Sequence, residues 1–194
     1  MFITPKIPRQ QAENIFAGRK SSFPLIGTLF AGKNPSTPEK TEILYMPFYL
    51  FDVLLEPDKN VPANSRTNRQ WITLSVDGLL GHTVLYATDV SDGEADLKSS
   101  ALFCDFEISA SAASKMALEQ YKGILLEHGL RTRSSPHAKE ISEGKRIFYP
   151  FWIAYVKTKR GYDFKALDAV SGEIQGIRMR RLFMKALKIL AQKS

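Results

Sequence analysis

Gly27-Thr-Leu-Phe-Ala-Gly32-Lys33-Asn34 has the glycine and lysine spacing of a phosphate-binding P-loop, whose backbone N–H groups cradle phosphate. Asn34 stands where a serine or threonine would reach magnesium, and Pro35 and Pro38 follow where the loop must open a helix. The stretch therefore reads as a strand followed by a turn. Asp89, Asp92, Glu94 and Asp96 crowd carboxylates around Gly93, a composition that attracts a hard cation. Their spacing is not that of an EF-hand loop and no bidentate glutamate follows, so a solvated linker is expected. His82, His128 and His137 lack the i, i+4 spacing that sets two metal ligands on one helical face. Cys104 would need a histidine base to act as a nucleophile, and its neighbour Asp105 raises rather than lowers a thiol pKa. These residues assign no catalytic group, no metal site and no cofactor, and the reading leans away from an enzyme.

The most informative charges lie near the C-terminus. Arg178, Arg181, Lys185 and Lys188 recur at three- and four-residue steps, with Arg180 and Lys193 nearby and no acidic residue from Arg178 to Lys193. Met179, Leu182, Phe183, Ala186, Ile189 and Leu190 supply the apolar side of the same helix. A basic amphipathic helix can lie on anionic lipid, track nucleic-acid phosphates or dock in a partner's groove. The competing expectation is that its apolar side packs on a sheet while its charges face water. The formal charge of +7, from 27 Lys+Arg against 20 Asp+Glu, permits an anionic partner without requiring one.

Composition narrows the remaining classes. At 194 residues and 44% hydrophobic, the chain can bury one large core or two small ones. A single cysteine excludes an intramolecular disulfide and a multi-cysteine zinc site. The N-terminus meets Pro5 and Pro8 too soon to hold the apolar core of a signal peptide. No apolar run approaches the roughly 20 residues of a membrane helix, so a cytoplasmic location is expected.

The elements that must position these residues show an internal repeat. Ile43 to Leu54 and Arg146 to Lys157 align on Pro47 and Pro150, with an aromatic two places later (Tyr49, Trp152) and a valine six places later (Val53, Val156). A second shared signature follows each: Trp71, Asp77 and Gly81 against Tyr162, Asp168 and Gly172, at identical spacing. Around it the expected order is a short helix opened by Pro8 and stopped by Gly18, a strand over 23–31, the first aromatic strand over 42–55, and strands over 69–76 and 82–87. A linker over 88–100 separates the halves. The second half holds a short strand over 103–108, then a helix capped by Ser109 or Ser111 with Ala113, Met116, Ala117, Tyr121, Ile124 and Leu125 inward and Gly129 as its stop. A basic loop over 131–144, the second aromatic strand, strands over 162–170 and 173–177, and a helix over 178–192 complete it. Apolar residues of both parities in Leu44 to Leu55 require cover on both faces. A proline inside such a strand calls for a bulge, a strand start or an edge.

A helix followed by a β-meander, with Leu167-Asp168-Ala-Val-Ser-Gly172-Glu173 as a strand-turn-strand, resembles the PepSY-type, cystatin-like repeat, in which an Asp-x-x-Ser/Thr-Gly-Glu turn joins neighbouring strands. The resemblance covers a few residues of the second half, and the first half keeps Asp77 and Gly81. The proline-aromatic strand also resembles strands of bacterial proteins. The fold expected is α+β: tandem halves at 1–100 and 101–194, each a helix on a small antiparallel sheet, plus a basic C-terminal helix. The leading functional expectation is a non-enzymatic binding or regulatory module contacting a protein partner, or a second copy, through a sheet edge or inter-half groove. The alternative is an anionic surface, nucleic acid or membrane, bound through Arg178, Arg180, Arg181, Lys185 and Lys188.

Overall fold

The computed structural model describes residues 1–18, 38–56, 70–86, 101–132, 137–158 and 161–193. The P-loop-like stretch, the strand expected over 23–31 and the acidic linker lie outside the described residues. The described elements are α1 (Arg9–Phe16), β1 (Lys40–Glu56), β2 (Gln70–Asp77), β3 (Thr83–Tyr86), β4 (Leu102–Phe103), α2 (Ala110–Thr132), β5 (His137–Ile141), β6 (Lys145–Thr158), β7 (Gly161–Asp168) and α3 (Ile177–Lys193). The class is α+β with an antiparallel sheet, to which β4 adds a short parallel pairing with β1. No described helix is long and apolar enough to cross a membrane.

The chain forms two compact units that interleave along the sequence. One comprises Met1–Met46, Asp92–Cys104 and Phe148–Ser194; the other comprises Pro47–Ser91 and Asp105–Ile147. In the first, the beginning of β1, then β6 and β7 lie side by side. Helix α1 buries Ala12 and Phe16 against Trp152, Ala154, Leu167 and Ala169 of that sheet. Helix α3 buries Leu182, Phe183 and Ala186, and Phe183 meets Phe151 edge-on at 5.0 Å. In the second unit the order is β3-β2-β1, and β5 pairs with the end of β1. Helix α2 presses Ala113 and Ala117 onto Tyr49, Phe51, Val53, Leu74 and Val76.

Helix α1 precedes β1 in sequence but lies on β6 and β7, and α2 precedes β6 but lies on β1 and β2. The prolines find the least costly place in their strands. Pairing of β1 with β2 begins at Phe48, one residue after Pro47, and pairing of β6 with β7 begins at Phe151, one after Pro150. Neither ladder asks the proline for the N–H it lacks.

Four expectations are corrected. The stretch over 131–144 contains β5, whose Lys139 ammonium pairs with Glu56 at 2.7 Å; its polar sequence suits a solvated strand beside β1. Helix α2 runs through Gly129 to Thr132. The strand over 173–177 is reduced to a bridge between Leu167 and Ile174, because α3 begins at Ile177. The strand over 103–108 shrinks to Leu102–Phe103, since Glu107 and Ile108 donate their N–H groups to the Gly78 carbonyl instead.

Candidate functional site

The paired signatures build two turns with matching hydrogen bonds. Asp77 closes the first: its Oδ1 accepts from the N–H groups of Leu79 (3.0 Å), Leu80 (2.6 Å) and Gly81 (3.3 Å), and its Oδ2 from His82 (2.8 Å). Asp168 closes the second, its Oδ1 accepting from Val170 (2.7 Å) and Ser171 (2.9 Å), with the Tyr149 hydroxyl donating to the same carboxylate. Gly81 and Gly172 take φ of 76° and 78°, a left-handed conformation that favours glycine. The Pro47 carbonyl accepts from Gly78, and the Pro150 carbonyl from Ala169.

These turns also hold the segments leading into the helices. The Gly78 carbonyl accepts from Glu107 and Ile108 ahead of α2, and the Ala169 carbonyl accepts from Lys6 and Ile7 ahead of α1. Tyr49 Oη donates to the Ile108 carbonyl (2.7 Å), and Trp152 Nε1 donates to that of Ile7 (2.8 Å). Pro47, Tyr49, Asp77, Gly81, Pro150, Trp152, Asp168 and Gly172 are therefore architectural. The signature aromatics Trp71 and Tyr162 differ, at 55% and 69% exposed. A hydrogen bond with the Glu39 carboxylate pushes the Tyr162 phenol pKa up.

The basic residues of α3 do not act as one set. Arg180 lies 4.7 Å over the Phe164 ring, pairs with Asp163 and donates to the Phe164 carbonyl. The hydrogen bond from Arg180 holds the Asp163 carboxyl below its usual range. Lys185 is half-buried, whereas Arg178, Arg181 and Lys188 are exposed, with no ion pair to a described residue. The structure brings those three to one side of the helix and assigns Arg180 to the sheet.

The second unit presents a site that the sequence does not mark. The Asp77 N–H donates to the His82 carbonyl, so by antiparallel alternation Val84 and Tyr86 exchange hydrogen bonds with Ser75 and Thr73. Backbone groups of Thr83 and Leu85 then point away from β2. The Thr83 N–H is met by Gln120 Oε1 (3.0 Å) from α2, while Gln120 Nε2 donates to the Gly81 carbonyl (2.9 Å). Leu85 has no such cap among the described residues, and Thr83 Oγ1 is buried without a partner. Val84 and Leu85 are 53% and 46% exposed, and no charge or proline guards Thr83-Val84-Leu85-Tyr86. That missing guard is the only sequence signal, and it carries meaning only once β3 is known to lie at an edge.

The other sequence candidates do not converge. Cys104 is fully buried, its N–H donating to the Tyr45 carbonyl. His82 is exposed beside the Asp77 turn, and the side chains of His128 and His137 lie outside the described ones. Among the described residues, no three His, Cys, Asp or Glu side chains gather as a metal set. No protein-family model, curated protein or solved structure matches the chain.

Proposed function

We propose that this protein is a non-enzymatic binding module that docks an extended strand of a protein partner on the open edge of β3. One observation carries the reading: the register of β3 on β2 turns the Leu85 N–H and C=O away from β2, beside exposed Val84 and Leu85 side chains, and no described residue caps them. An incoming strand would gain main-chain hydrogen bonds from Leu85 and apolar contact from Val84, Leu85 and Trp71. The matched turns support reading the body of the module as two copies of one helix-plus-meander unit with their helices exchanged. In that frame, Gln120 of α2 blocks the first edge position and leaves the second to the partner.

The test places a photo-crosslinking benzoylphenylalanine at Val84 in the full chain, with the same residue at exposed Glu119 of α2 as a control. The expected result is a discrete adduct from Val84 that disappears with Leu85→Pro, which removes an outward N–H without touching the β2 ladder. Equal adducts from Val84 and Glu119, or adducts insensitive to Leu85→Pro, defeat the reading. An adduct with the chain itself would make the partner a second copy.

A second reading, binding of an anionic surface, is favoured by Arg178, Arg181 and Lys188, exposed and without an ion pair to a described residue. It expects retention on DNA or acidic liposomes that weakens steeply with salt and is lost in the triple alanine variant.

A further inference from the structure

The first unit contains a pocket of about 430 Å³ whose walls include Lys6, Ile7, Arg9, Ile43, Tyr45 and Trp152. That volume lies in the range of small-molecule sites. The walls are fixed before any ligand arrives. Lys6 and Ile7 donate their N–H groups to the Ala169 carbonyl, both at 2.8 Å, and Trp152 Nε1 holds the Ile7 carbonyl. Pro5 and Pro8, on either side, lock the backbone further.

Three polar features accompany this apolar lining. Tyr45 is 3% exposed, its ring stacked on Phe103 at 5.2 Å and met edge-on by Phe2 at 5.6 Å. Its hydroxyl has no hydrogen-bond partner among the described residues and, unlike Thr83 Oγ1, is not sealed from solvent, so a ligand in the pocket can reach it. Burial pushes the Tyr45 pKa up, so the hydroxyl remains a proton donor at neutral pH. Lys6 is exposed and without an ion pair to a described residue, while the Arg9 guanidinium is partly used by Glu13 at 2.9 Å. Helix α1 begins at the pocket wall with Pro8 as its N-cap and no side-chain cap, leaving first-turn N–H groups for an anion.

We infer that this pocket binds a small organic carboxylate, its apolar body against Ile43 and Trp152 and its carboxylate met by the Tyr45 hydroxyl, Lys6 and the start of α1. Among the described residues, no carboxylate side chain lines the pocket to compete with it. The pocket belongs to the first unit and β3 to the second, and the proposal stands or falls independently of the strand-docking reading.

Calorimetric titration of the full chain with 2-naphthoate, and with neutral 2-naphthalenemethanol, tests it. Naphthoate should bind saturably at one site per chain. Lys6→Ala and Tyr45→Phe should each weaken it about tenfold, the usual size of a hydrogen bond to a charged group. The neutral alcohol should be insensitive to Lys6→Ala. Tyr45→Phe should leave thermal stability of the free protein unchanged or raised, because an unpartnered hydroxyl contributes nothing to the fold. Absence of saturable binding at millimolar naphthoate overturns the proposal. So does wild-type affinity in both variants, or a Tyr45→Phe protein that melts earlier, which would mean that the hydroxyl has an internal partner.

Discussion

Replacing Asp77 probes the turn that sets both β3 and the start of α2. Its carboxylate is 2% exposed and receives N–H groups from Leu79, Leu80, Gly81 and His82. Asp77→Ala does not orphan them equally. Gly81 keeps its bond to the Asp77 main-chain carbonyl, and water can reach exposed His82 and half-buried Leu80. Leu79, itself 2% exposed, is the expensive loss. One buried unsatisfied donor at about 2 kcal/mol plus two solvated losses at about 0.5–1 kcal/mol each gives about 3–4 kcal/mol. Asp77→Asn separates the contributions. Its remaining oxygen can serve Leu79 and Leu80, and only the His82 bond is replaced by a donor facing a donor, at about 1–1.5 kcal/mol. Urea unfolding followed by circular dichroism, at a slope of about 2 kcal/mol per molar, should place the midpoints of the two variants about 1 M apart. Hydrogen exchange should show β3 and the first turn of α2 loosening before the rest of that unit. Equal costs for the alanine and asparagine variants, or a cost below about 1 kcal/mol for alanine, would refute the argument that the buried Leu79 donor dominates.

Three further outcomes follow from the same geometry. Tyr49→Phe and Trp152→Phe each delete one donor to the segment leading into a helix, and each should cost about 1 kcal/mol in unfolding experiments; a clearly unequal pair would mean that the two bonds are not equivalent. Gly123 of α2 has nothing within 4 Å of an added Cβ, so Gly123→Ala should stabilise by about 0.5–1 kcal/mol, and a lower unfolding midpoint would count against an open helix surface there. Burial, and then the Glu42 carboxylate, push the Tyr155 phenol up to about 12. An acid whose folded pKa exceeds its unfolded value of about 10 contributes fully below pH 10 and loses that contribution as pH rises through the folded value. Wild type should therefore lose about 1 kcal/mol more than Tyr155→Phe between pH 10 and 12, allowing for screening at this half-buried site; parallel stability curves would remove Glu42 and burial as the cause.

The strands β1, β2, β3, β6 and β7 were legible because their side chains obey local rules, whereas polar β5 was not. Apolar residues of both parities mark β1 and β6, and Asp77-Gly78 and Ser171-Gly172 mark their turns whatever surrounds them. Even the prolines were readable in part, since a residue without an N–H must sit where a ladder can spare one. What was not legible is which surface meets which. Ala12 and Phe16 of α1 say that a helix face is buried, yet nothing in their spacing says that Trp152 and Leu167 cover it rather than residues of β1 and β2. The choice of sheet for each helix is fixed instead by backbone contacts, the carbonyls of Gly78 and Ala169 gripping segments far away in sequence, which leave no trace in side-chain type. The same holds for function. Thr83 to Tyr86 read as an ordinary short strand, and the role proposed for them rests on what stops beside them: Gln120 meets Thr83, and no described residue meets Leu85. Tyr45 read as one more core aromatic, and only the surroundings of its hydroxyl distinguish it from Tyr49, whose hydroxyl is held by Ile108. In this chain the conspicuous sequence pattern fixes the scaffold, and the positions we propose for other molecules are those where no described residue answers a backbone or hydroxyl group.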